Sequence, residues 1–125
     1  ADPLPPTVDE RWLQQLETLV EKNLTDSLLQ VGYLADEMNI SERQFYRRVK
    51  ELTGLSPNGF IQEVRLQTAR TWLETHKFMT AKEVCHAVGF QKYDYFSRLF
   101  TQRFGKQPSD FVSKKADAAP AGRSS

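Results

Sequence analysis

LADEMNIS (residues 34–41) and VCHAVGFQ (residues 84–91) decide the fold, because they place the same kinds of residue at the same spacing. Each stretch has a small residue midway along a helical pattern. Four residues later comes a residue that tolerates the positive φ of a tight turn, and an apolar residue follows it to fill the corner. The matching pairs are Ala35 and Cys85, Asn39 and Gly89, and Ile40 and Phe90. Each stretch therefore predicts a short helix that ends in a tight turn.

The similarity continues in FYRRVKELTGLSPNGFI (45–61) and FSRLFTQRFGKQPSDFV (96–112), with one extra residue before the second stretch. Five pairs coincide: Phe45 and Phe96, Arg47 and Arg98, Gly54 and Gly105, Pro57 and Pro108, and Phe60 and Phe111. Each copy thus predicts a short helix, a tight turn, a longer helix, a glycine stop and a helix begun by proline. This arrangement is a helix-turn-helix, and two copies in register indicate it more strongly than one.

The rest of the chain also shows helical spacing of its apolar residues. A helix is predicted over about 8–23. Ser56 and Pro57 favour the start of another that runs to about Glu74. Thr80 and Glu83 form a capping box, and Gln107–Pro108 opens a last short helix. No stretch of useful length alternates apolar and polar residues with period two, so we predict an all-α fold without a sheet.

The predicted architecture is a tandem helix-turn-helix, with two small subdomains joined by one long central helix. The predicted ranges are 8–115 for the folded domain, 31–53 for the first motif, 57–74 for the central helix and 81–104 for the second motif. Residues 1–7 hold three prolines and are predicted to be a linker, and the small, polar residues 116–125 a disordered tail. The sequence lacks an initiator Met, so we expect a processed product or a fragment of a longer protein.

Composition excludes several classes of protein. No run approaches the roughly 18 apolar residues of a membrane span, and no secretory signal is visible. The single cysteine, Cys85, excludes an internal disulfide and fits a reducing compartment. The two histidines, His76 and His86, lack ligand spacing with each other or with Cys85. Since no phosphate-binding loop, nucleophile set or carboxylate pair stands out, we expect no enzyme activity, metal or cofactor.

Charge is distributed unevenly, although the net charge is only +1. Residues 1–40 hold eight Asp and Glu against two Lys and Arg, whereas residues 41–115 hold fourteen Lys and Arg against seven Asp and Glu. A basic body suggests a polyanionic partner. Charge alone leaves open the alternative of a solvated surface that happens to be sorted in this way.

The second helix of each copy has an outward face suited to DNA. Arginine fits guanine O6 and N7, glutamine fits adenine, and aspartate accepts from cytosine N4. The predicted base contacts are Arg43, Gln44, Tyr46 and Arg47 in the first copy, and Tyr93, Asp94, Ser97 and Arg98 in the second. The predicted phosphate contacts are Arg48, Lys50, Lys92, Arg103 and Lys106, with Lys114 and Lys115 as further candidates.

Structural interpretations compete with these roles. Asp94 suits the first turn of a helix without any DNA, because the helix dipole stabilises an acid there. Glu63, Arg65 and Glu74 are read as surface pairs or inter-helix salt bridges, with bracing of the two subdomains as the alternative for Arg65. Aromatic side chains at helical spacing are expected to be core rather than stacking platforms for bases, namely Trp12, Phe45, Trp72, Phe96 and Phe100.

The central helix sets the expected spacing of the two motifs. Eighteen residues at 1.5 Å each give a helix of roughly 27 Å. Such a helix suits two reading helices about 34 Å apart, which is one turn of DNA. Both copies run in the same direction along one chain, so we expect an asymmetric site bound by a monomer rather than a palindrome bound by a symmetric dimer.

GFQKYDYFSRLFTQRFGKQPSDF (89–111) and ERQFYRRVKELTGLSPNGFIQEVRLQTARTWL (42–73) resemble the DNA-binding domain of AraC/XylS-family transcription regulators. The likeness covers about 31–112, and the second stretch is similar to the version at the C-terminus of hybrid two-component sensors. The resemblance implies seven helices and sequence-specific binding of double-stranded promoter DNA by a cytoplasmic, nucleoid-associated activator. It further implies contact with RNA polymerase and a larger parent protein, dimeric or membrane-anchored in some arrangements, around a monomeric domain.

Positions carried over from the family agree with the outward faces. Those that match its base-reading positions are Arg43, Tyr46 and Arg47 in the first motif, and Tyr93, Asp94, Ser97 and Arg98 in the second. The sequence departs from the family pattern at Arg48, where Leu99 stands in the second copy, and at Gln30, where a Ser or Thr cap is usual. Gly32 loosens the helix after Gln30, and Tyr93 replaces a frequent proline.

The alternative function is a helical protein-interaction module that keeps the fold without reading DNA, since fold alone does not determine function. The exposed faces of residues 43–47 and 93–98 discriminate between the two. Arginine and tyrosine there favour DNA, whereas an apolar exposed patch would favour protein.

Overall fold

The computed structural model describes residues 7–26, 29–75 and 80–111, and every regular element in these ranges is a helix. In chain order the elements are α1 (Val8–Lys22), α2 (Val31–Glu37), α3 (Glu42–Thr53), α4 (Pro57–Glu74), α5 (Ala81–Ala87) and α6 (Tyr93–Phe104). Residues 108–111 are also helical, where the predicted seventh helix begins. The all-α prediction is therefore confirmed. Predictions for His76, Lys114, Lys115, most of the linker and the tail lie outside the described residues.

The chain divides into two compact units between Val64 and Arg65, within α4. The first unit holds α1, α2, α3 and the first turns of α4. The second holds the rest of α4, α5 and α6. Each unit thus contains one of the two helix-turn-helix motifs that the repeat predicted.

The core of the first unit is built where α1, α2 and α3 meet. Leu16, Leu34 and Val49 have no exposed surface, and Phe45 has almost none. The ring of Trp12 lies 5.9 Å from that of Phe45, in a tilted arrangement typical of packed aromatic pairs. The prediction that Trp12 and Phe45 belong to the core is therefore confirmed.

The turn between the two helices of each motif is the same. Asn39 and Gly89 have φ values of 62° and 97°. The next amide, of Ile40 or Phe90, donates to the carbonyl of the small residue five positions earlier, at 3.1 and 3.0 Å. These small residues are Ala35 and Cys85, and both are fully buried. The positive φ closes this bond and so ends the first helix of the motif.

The second unit has an aromatic core. Phe96 and Phe100 are fully buried with ring centroids 5.6 Å apart, and the ring of Phe111 meets Phe100 edge-on at 5.5 Å. The helix ends also match those of the first unit, since Gly54 at the end of α3 and Gly105 at the end of α6 both have φ 78°.

Arg65 is buried, so its assignment to the surface is wrong. Its Nη1 donates to the carbonyl oxygen of Val88 at 2.8 Å, at the turn that follows α5. Glu74 pairs with Arg70 at 3.3 Å. A charged group that reaches a backbone carbonyl inside a core satisfies an acceptor that would otherwise be costly to bury.

The turn makes a prediction at Asn39. Asn39→Ala should lower the free energy of unfolding by about 1 kcal/mol. At positive φ the Cβ of alanine is crowded by the backbone, and alanine lacks the short polar side chain with which Asn can hydrogen-bond locally. Asn39→Gly, the matched control, should leave stability unchanged or raised. Urea unfolding of the three proteins measures this, and equal stability of the Ala and Gly variants would show that the turn does not constrain the motif.

Candidate nucleic-acid interface

The outward face of α3 follows from its cap and its buried stripe. Ser41 Oγ accepts from the amide of Gln44 at 3.1 Å, and Gln44 Oε1 accepts from the amide of Ser41 at 3.4 Å. Burial of Phe45 then turns Arg43, Tyr46 and Arg47 to the outside of the helix, and all three are exposed. We call these three residues the α3 face.

Gln44 differs from its predicted role. Its side chain is exposed, as predicted, but its amide oxygen belongs to the capping box. Reading adenine with both amide atoms would require that oxygen to leave the cap. Gln44 therefore has a structural role that the outward position alone did not reveal.

The outward face of α6 carries Asp94, Tyr95 and Arg98, all exposed, and we call these the α6 face. Tyr95 was not among the base contacts predicted from the sequence, although its position in the second copy matches that of Gln44 in the first. Its side chain is 44% exposed, and the guanidinium carbon of Arg98 lies 5.8 Å from the centre of its ring. The register of the two copies was the signal that could have found it.

Tyr93 and Ser97 are less available than predicted, since both are half-buried. The ring of Tyr93 lies 6.0 Å from that of Phe96, at the edge of the core. Burial raises the pKa of the Tyr93 hydroxyl, and the nearby Cys85 and Asp94 raise it further. Lys92, the residue before α6, makes no side-chain cap.

The predicted phosphate-contacting side chains fall into two groups. Lys92 and Lys106 are exposed beside α6. Lys50 Nζ donates to the carbonyl of Gly54 at 3.2 Å, and the guanidinium of Arg103 lies 4.9 Å from the ring centre of Phe104. Both of these cations are exposed but already hold contacts within their own unit.

Arg48, another predicted phosphate contact, is held by two contacts within its own unit. Its guanidinium stacks 4.7 Å from the ring centre of Trp12, and its Nη2 donates to Asp9 Oδ1 at 3.2 Å. Both partners belong to α1. These contacts explain how an arginine is accommodated where the second copy has the half-buried Leu99.

The part of the chain that the structure describes gives no support for a metal site or a membrane-spanning helix. No group of three His, Cys, Asp or Glu side chains there could hold a metal ion. No helix in the described ranges is both long and apolar enough to cross a membrane. Cys85 is fully buried with its Sγ 3.8 Å from the carbonyl of Phe90, and the exposed His86 donates from Nδ1 to the same carbonyl at 3.2 Å.

Comparisons with known proteins agree with this geometry. A family model described as a helix-turn-helix domain matches residues 34–114, which include the second motif and all but the first three residues of the first. Two curated relatives are 31% identical over 111 residues, 89% of this chain: "Histidine kinase P4" of Formosa agariphila and the "HTH-type transcriptional activator RhaR" of Escherichia coli K12. The chain spans 8% of the length of the first and 39% of the second.

A solved structure of the DNA-binding domain of AdpA, described as a global transcriptional factor in complex with a target DNA, is also similar. It is 25% identical to this chain, with a TM-score of 0.72. The alignment covers 88% of this chain and 97% of that one.

The buried thiol makes a prediction. Burial raises the pKa of Cys85 from 9.0 to about 11, and Lys82 opposes the shift. A thiol-specific alkylating reagent should therefore label the native chain at pH 8 far more slowly than the chain in urea, which is the control. The Cys85 thiol loses its proton at a lower pH in the unfolded chain than in the folded chain. The free energy of unfolding should therefore fall as the pH rises from 9 towards 11. Equal labelling rates in both states would contradict a buried, protonated thiol.

Proposed function

The chain belongs to the family of AraC-type helix-turn-helix domains, and we propose that it is the DNA-binding output domain of a bacterial transcription regulator. In this proposal the α3 face and the α6 face enter successive major-groove segments of promoter DNA. Domains of this family in transcription regulators bind DNA and are not enzymes.

The equivalent placement of Arg47 and Arg98 carries the proposal. Each follows a fully buried phenylalanine by two positions in the N-terminal half of its helix, and each is exposed. A guanidinium is a planar fork that can donate two parallel hydrogen bonds to guanine O6 and N7. Two such groups on two helices of one chain suit an asymmetric site with two reading segments, bound by a monomer.

The remaining residues of the two faces supply the rest of the proposed readout. Arg43 and Tyr46 flank Arg47, while Asp94 and Tyr95 flank Arg98. Lys50, Lys92, Arg103 and Lys106 are the proposed phosphate contacts, with Gln44, Tyr93 and Ser97 in supporting roles. Phosphate contacts orient the domain on the duplex, and base contacts provide sequence preference.

The exposed surface favours DNA over a protein partner. The large hydrophobic side chains exposed on the described residues of α3 and α6 are Tyr46 and Tyr95. Both carry a hydroxyl group, and no aliphatic side chain of similar size is exposed on the described residues of these two helices. A docking surface for protein would be expected to have an apolar centre there.

We further infer that this domain acts within a larger, signal-responsive protein in the bacterial cytoplasm. Two observations support this inference. The chain spans only 8% and 39% of the length of two relatives, and one of these relatives is named a histidine kinase. Signals would then act by pairing two such domains through tethers, which raises apparent affinity by about 10²–10⁴ without new DNA contacts. The name of the other relative supports activation of transcription, for which RNA polymerase is the proposed partner.

Substitution of the two arginines tests the function. Arg47→Ala and Arg98→Ala should each weaken binding to a duplex selected from a random-sequence pool by about 1–3 kcal/mol, because each removes a bidentate contact with guanine. Binding to a scrambled duplex should fall much less. Fluorescence anisotropy with both duplexes at one salt concentration measures this. Lys22→Ala on α1 is the control for loss of one positive charge. Equal losses on both duplexes would reject base reading by that arginine.

A further inference from the structure

The N-terminal helix α1 lies outside the part of the chain that the family model matches, yet its side chains contact those of α3. The buried ring of Trp12 contacts Phe45 on one side and the guanidinium of Arg48 on another. Asp9, one turn before Trp12, accepts a hydrogen bond from Arg48 at 3.2 Å. Two side chains of α1 thus hold one cation of α3.

Arg48 lies at the border of the α3 face. It follows Arg47 in sequence and Gln44 by one helical turn. Asp9, Gln44, Arg47 and Arg48 line the same shallow depression on the surface of the first unit. The carboxylate of Asp9 therefore stands beside the surface proposed to meet DNA.

The contacts of Arg48 with Asp9 and Trp12 are weak enough for a DNA phosphate to compete with them. The side chains of Arg48 and Asp9 are 34% and 62% exposed. An ion pair and a cation–π contact are both weak in such a partly exposed setting, because solvent screens them. Contact with a DNA phosphate releases counterions, so it competes with the Asp9 carboxylate most effectively at low salt.

We propose that Asp9 is a positioning residue that keeps Arg48 on Trp12 and so withholds one cation from the DNA backbone. The acidic start of α1 then limits the affinity of α3 for DNA phosphates without touching the bases. This inference rests on the proposed DNA-binding function. Movement of α1 away from α3 would release Arg48 and strengthen binding.

Asp9→Asn tests this, because it removes the charge and keeps the size of the side chain. The plot of log affinity against log salt concentration should steepen by about 0.9, the value for one added phosphate contact. Binding should tighten by roughly 3- to 8-fold at low salt, since one counterion is released. The gain should be equal on the selected and the scrambled duplex, because phosphate contacts carry no sequence information.

Two controls separate this effect from general electrostatics. Glu17→Gln removes an equal charge from the same helix at an exposed position for which the structure describes no ion pair. It should leave the salt slope unchanged. In an Arg48→Gln background, Asp9→Asn should have no further effect on binding, as expected when two substitutions act through one contact. Thermal unfolding shows that each variant is folded, and Asp9→Asn should not gain stability, since it loses an acid from the first turn of α1.

The possible outcomes are distinct. An unchanged slope for Asp9→Asn, a change matched by Glu17→Gln, or a change that persists without Arg48 would each overturn the inference. If the unsubstituted chain binds neither duplex, the proposed DNA-binding function fails and this inference fails with it. If the unsubstituted chain discriminates between the duplexes but Asp9→Asn behaves like it, only the positioning role of Asp9 is wrong.

Discussion

One backbone hydrogen bond, made twice, is the constraint on which each motif depends. The amides of Ile40 and Phe90 donate to the carbonyls of Ala35 and Cys85 across a residue of positive φ. The acceptor residue is fully buried in both motifs, so the helix that follows must cross close to it. This closure determines where α3 and α6 begin and which side chains they present outward.

Features that depend on local sequence were predictable for this reason. Caps, glycine stops and turn residues act within five positions, and a fully buried phenylalanine sets the outward side of its helix. The exposure of Arg43, Tyr46, Arg47 and Arg98 followed from that spacing alone. The half-burial of Tyr93 did not, because it depends on how closely the ring packs against Phe96.

Features that depend on contacts between distant parts of the chain were not predictable. Arg65 reaches Val88 and Arg48 reaches Asp9, and no periodicity within one helix reveals such pairs. The acidic first third and the basic body suggested a polyanionic partner, and not a contact between the two regions. The structure gives that charge asymmetry a specific contact, on a helix that the family model does not include.

In the proposed function, both motifs of one chain read DNA. Hydroxyl-radical footprinting of a single domain on a selected duplex tests it most directly, together with binding to a duplex carrying about 5 added base pairs between the reading segments. We expect two protected segments about one helical turn apart on one face of the duplex. We also expect loss of specific binding after the insertion, which moves one segment to the opposite face. One protected segment, with affinity retained after the insertion, would contradict it.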